Sequence, residues 1–79
     1  MALFFLDYDL RKVRDYKSLY EELAKFNAVR VLESSWCFNT NCSTLRDHFK
    51  KFIDADDGLN IVEVIDWATY GAINTPNEL

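Results

Sequence analysis

The chain has no Lys or Arg beyond residue 53, one His, two Cys, one Pro and two Gly, and each shortage closes off a class of function. One histidine, His48, with no Ser or Cys partner makes no nucleophile system. Metal-free RNA cleavage commonly uses a pair of histidines and finds no second one here. Cys37 and Cys42 are spaced Cys-x4-Cys with only His48 nearby, which leaves a zinc site short of ligands. No secretory leader precedes these cysteines, so reduced thiols in a cytosol are expected. The apolar opening, residues 1–6, is too short to span a membrane. No repeat, linker or low-complexity tract interrupts the chain.

What is present fits one small folded domain. Seventy-nine residues leave no room for a second core. A composition of 49% hydrophobic and 15% aromatic residues excludes a disordered segment. A domain this short buries only about 60–65% of the surface of its unfolded chain, so self-association is expected to add stability. The net charge of −4 is unevenly placed: residues 54–79 carry six acids and no base, and residues 1–53 carry nine bases against seven acids. A phosphate-binding surface would have to draw on the first two thirds, and the overall balance argues against strong nonspecific nucleic-acid binding.

Periodicity supplies the elements. Residues 2–6 run apolar without alternation and are cut by Asp7-Tyr8-Asp9, the pattern of a buried strand whose end emerges into solvent. Tyr16, Leu19, Tyr20, Leu23 and Phe26 mark one face of a helix, with Asp15 as its N-cap and Asn27 as its stop. Residues 28–39 turn to β character, broken at Glu33-Ser34-Ser35 into two strands. Ser43 caps a second helix with apolar positions Leu45, Phe49, Phe52 and Ile53. Residues 54–58 form its exit turn, and residues 59–65 a last buried strand. As a calcium loop that turn fails, since Gly58 is fifth where an EF-hand needs glycine sixth. The order β-α-β-β-α-β predicts an α+β, ferredoxin-like domain over residues 1–79, a four-stranded antiparallel sheet with two helices on one face, and residues 66–79 as a C-terminal tail.

Asp7 and Asp9 are the sharpest chemical feature. Two residues apart on a strand they point to one side, and hard cations such as Mg²⁺ take a few carboxylates plus water. The alternative is two solvated acids at a strand end, Asp9 pairing with Arg11, Lys12 or Arg14. Arg11, Lys12 and Arg14 are candidates for contacting a phosphate backbone, or else form a solvated connector. Ser34 and Ser35 would donate hydroxyls to phosphate or cap local backbone. Trp36, Trp67 and Tyr70 supply ring area suited to a dimer seam, with Trp67 and Tyr70 equally suited to packing.

The segment from Leu3 through Asp9 to Leu10, followed by a helix and then Val29-Arg30-Val31-Leu32-Glu33-Ser34-Ser35-Trp36, resembles the small CRISPR-associated adaptation proteins and the related virulence-associated protein D group. The resemblance covers most of residues 2–65. It implies a ferredoxin-like homodimer, in some members with Mg²⁺-dependent cleavage of RNA or DNA, and makes Asp9, of the Tyr8-Asp9 pair, the metal-binding acid with Asp7 beside it. Two readings follow for a cytoplasmic protein with no membrane attachment. One is a homodimeric adaptation-protein-like module acting as a metal-dependent nuclease. The other is a small acidic, non-catalytic inhibitor or adaptor, of the phage-encoded anti-CRISPR type, that binds a protein complex.

Overall fold

In the computed structural model, which describes residues 1–11 and 16–79, the first strand β1 runs over Ala2–Asp9. It is followed by α1 (Lys17–Lys25), β2 (Val29–Leu32), β3 (Ser35–Thr40), α2 (Leu45–Phe49) and β4 (Gly58–Val64). The strands form one antiparallel sheet in the order β2-β3-β1-β4, the ferredoxin-like arrangement expected of β-α-β-β-α-β. Among the described residues no helix is long and apolar enough to cross a membrane.

Alternation along β1 assigns the two faces of the sheet. Leu6 and Tyr8 are buried against the helices with Leu19, Leu23, Phe38 and Phe49. Phe26 lies with its ring centre 5.2 Å from those of both Phe38 and Phe49. Phe5, Asp7 and Asp9 therefore point to the opposite face. The register places Cys37 opposite Phe5 and Ser35 opposite Asp7 on that same side.

β1 continues past its apolar run and carries both acids inside the ladder at its emerging end. Asp7 pairs with Ser35 on β3 and Asn60 on β4, and Asp9 pairs with Gly58. Both neighbours run far enough to give the backbone of Asp7-Tyr8-Asp9 partners, and ladder bonding outweighs side-chain polarity. β3 likewise begins at Ser35, leaving Glu33 and Ser34 as the turn. α1 stops where expected, because Asn27 takes the left-handed conformation (φ 56°) that ends helices. Its expected N-cap, Asp15, lies outside the described residues.

The second helix is shorter than its apolar spacing suggests. It tightens into a 3₁₀ turn over Lys50–Phe52, and Ile53 is already extended. Ser43 does not cap it: Thr44 precedes the first helical residue, with no side-chain cap bond. β4 closes at Val64, one residue early, and leaves Ile65 fully exposed.

Cys37 and Val31 are fully buried yet stand outside the helix-side cluster. Their cover comes from the tail. The Ile73 N–H donates to the Val31 carbonyl at 2.8 Å, the Asn74 side-chain amide donates to the Arg30 carbonyl at 3.0 Å, and a 3₁₀ turn at Pro76–Glu78 lies against β2. Because β4 and β2 are opposite edges of the sheet, the chain after β4 passes across the face that the helices leave open.

Candidate functional site

Asp7 and Asp9 stand on that open face at one end of β1, with Asn60 and Gly58 beside them on β4 and Ser35 across on β3. Asp9 is exposed but engaged. Its Oδ2 accepts from Arg11 Nε at 3.0 Å, and Arg11 Nη1 also donates to the Asp56 carbonyl at 3.0 Å. The Arg11 backbone N–H donates to Asp57 Oδ1 at 2.8 Å. Arg11 Nη2 also passes close to Gly58, where a Cβ would stand 3.1 Å away.

Asp57 is the hub of this end. Its Oδ2 accepts from the Tyr16 hydroxyl and from the Asp54 backbone N–H, each at 2.8 Å. One carboxylate thus joins the exit of β1, the approach to α1 and the turn before β4. Residues 54–58, which on sequence only looked like a calcium loop, serve as an internal brace.

The magnesium that the family resemblance implies was tested against these side chains. Asp7 and Asp9 do face one side, but the Arg11 guanidinium 3.0 Å from Asp9 occupies the position and neutralises the charge that a cation would need. Among the described residues no three His, Cys, Asp or Glu side chains gather to hold a metal ion. Among the described residues the donor set does not fit a magnesium centre.

Of the expected phosphate contacts, Arg11 is committed to the brace, and Lys12 and Arg14 lie outside the described residues. Ser34 is exposed in the β2–β3 turn, where its carbonyl accepts the Tyr8 N–H at 3.1 Å. Ser35 is buried, 7% exposed, under the open face. Among the described residues, Arg11, Ser34 and Ser35 do not form one basic surface. Trp36 packs within its own chain: its Nε1–H donates to the Tyr8 hydroxyl at 3.1 Å, and its ring lies 6.1 Å from that of Tyr20. Trp67 is half-buried in the tail, and Tyr70 is wholly exposed.

Sequence reasoning missed the group around Arg30. Its guanidinium lies 5.3 Å from the centre of the Trp36 ring and 5.6 Å from that of Tyr20, and it donates through Nε and Nη2 to the Glu33 carbonyl at 3.0 and 2.7 Å. Tyr20 is raised above its ordinary 10.0, first by burial and then by hydrogen bonding to Tyr8. The available signal was the alternation of Arg30 with half-buried Val29 and buried Val31, which turns it to the helix side. No family model matches the chain, and no solved structure does.

The acidic last third has a definite place. Among the described residues β4 is an outer strand, bonded to β1 alone. Asp54 and Asp56 precede it, Glu63 lies on it and Asp66 follows it, with no base anywhere in residues 54–79.

Proposed function

We propose that the protein is a small non-catalytic adaptor or inhibitor that acts by binding a protein partner, and that its acidic outer strand is the surface it uses. The observation that carries this reading is the position of β4: among the described residues it is an edge strand, with Glu63 on it and Asp66 after it, in a stretch (54–79) that holds no base. A row of acids along such an edge suits a protein surface that otherwise binds nucleic acid. The pairing of Arg11 with Asp9 supports the same reading, because it engages one of the candidate phosphate-binding cations and the acid expected to hold a metal with each other. Kinship with the adaptation-protein superfamily belongs to this proposal as a shared scaffold put to a binding use. Pairing of two copies would use the apolar residues left exposed beyond β4, Ile65 and Tyr70, rather than the acidic edge.

The test is cleavage of labelled single- and double-stranded RNA and DNA in EDTA, Mg²⁺ and Mn²⁺. The parent protein is expected to leave all four substrates intact. Metal-dependent cleavage that disappears in Asp9→Ala would overturn the reading in favour of a nuclease.

A further inference from the structure

We infer that residues 66–79 form a strap that opens as a unit while the sheet and helices stay folded, uncovering Cys37 and the outer edge of β2. This goes beyond the adaptor reading and does not depend on it. Among the described residues the core ends well before the strap: no residue after Ile61 belongs to the helix-side cluster or packs against it. None of residues 66–79 is itself buried. Apolar burial is what resists opening, so a segment with little of it opens at less cost than the whole domain.

Two hydrogen bonds tie the strap to the rest of the described chain, and they fall on neighbouring residues of one strand. The Ile73 N–H donates to the Val31 carbonyl at 2.8 Å, and the Asn74 amide to the Arg30 carbonyl at 3.0 Å. Its other bonds join Trp67 to Asp66, Asn77 and Glu78 to Thr75, and Leu79 to Pro76. Those are internal and survive opening. Between β4 and the anchor the chain touches little. Of residues 65–71 Trp67 alone is not exposed. Gly71 takes the left-handed conformation (φ 64°), and a Cβ there would meet nothing within 4 Å. The strap thus has a free hinge at one end and a short anchor at the other.

What lies beneath depends on that anchor. Val31 is 1% and Cys37 0% exposed, although neither belongs to the helix-side cluster. Cys37 stands on the open face opposite Phe5. The two anchor bonds also occupy carbonyls of β2, which pairs with β3 alone. Opening therefore does two things at once: solvent reaches a thiol, and the edge of β2 regains free carbonyls.

The experiment follows labelling of Cys37 by a thiol-reactive chromophore in the full chain carrying Cys42→Ser, at increasing urea below the unfolding transition. The rate is expected to be nearly independent of urea at first, because strap opening exposes little surface, and to rise steeply only where global unfolding takes over. Hydrogen exchange read by NMR should give the Ile73 amide the same weak urea dependence, while the amides of β1 follow global unfolding. Asn74→Ala removes one anchor bond, and Gly71→Ala strains the closed hinge alone. Each should speed Cys37 labelling about 2–10-fold. Cys37 labelling or Ile73 exchange that tracks global unfolding at every urea concentration would overturn the strap, as would labelling that either variant leaves unchanged.

Discussion

His48 Nε2 lies 2.7 Å from Glu22 Oε2, joining the second helix to the first. The ring of His48 also packs against Phe26, Phe49 and Phe52, at 5.8, 5.2 and 5.6 Å between centres. His48 holds the Glu22 carboxyl below its ordinary value of 4.5, and Lys25 adds to the effect. A lowered folded value means that this contribution is whole above pH 4.5 and is lost as pH falls through the lowered value. Thermal melts at a series of pH values should show an acid-side loss of stability that is reduced in Glu22→Gln. His48→Ala should cost about 1–3 kcal/mol, because it removes ring packing and leaves the half-buried Glu22 carboxylate with Lys25 but without its shorter bond.

The two thiols should react in a fixed order. Burial raises Cys37 to about 11, whereas the Thr44 hydroxyl, 3.6 Å from the sulfur, lowers Cys42. Titration of the native protein with a thiol-reactive chromophore is expected to modify Cys42 first and Cys37 only on opening. Removing residues 66–79 should make Cys37 react promptly. It should also lower stability by at least the ~1.5–3 kcal/mol that burial of one valine-sized side chain contributes. If Cys37 stays protected in that truncation, the tail is not its cover.

Arg30→Lys should be costly for a nominally conservative change. Lysine keeps the charge but loses the planar group that lies over Trp36 and Tyr20 and bonds the Glu33 carbonyl through two nitrogens. A loss of about 1–3 kcal/mol is expected by denaturant titration. A change below about 0.5 kcal/mol would show that the β2–β3 turn holds without this contact.

Light scattering should give twice the 9.3 kDa chain mass if copies pair as proposed. Ile65→Asp, at a fully exposed position, should return the protein to the single-chain mass without lowering its melting temperature. A monomer in the parent at tens of micromolar would end the pairing proposal.

The sheet was legible because its strands are apolar runs with clear breaks, and the β-α-β-β-α-β order leaves few topologies to consider. The extent of β1 was not, since whether Asp7 and Asp9 lie inside or beyond a strand depends on how far β3 and β4 reach, a non-local matter. The same holds for Asp57 and the tail, whose partners Arg11, Tyr16, Val31 and Arg30 are more than 40 residues distant. His48 falls outside the apolar stripe of its own helix, and its partner Glu22 sits on the other helix, so its contact was not legible in local spacing. Of the candidate site, the shared face of Asp7 and Asp9 follows from strand alternation alone. The Arg11 pairing stood among the possibilities, but its selection depends on the turn before β4, where the Asp56 carbonyl and Asp57 also hold Arg11.

The hold of the tail on β2 makes the sheet one-ended. Stacking of molecules edge to edge into a fibre needs two open edges on every molecule, one to receive and one to extend. Here Ile73 and Asn74 take two carbonyls of β2 for the chain itself. Growth at that edge would first have to displace the tail, which disfavours polymerisation through β2.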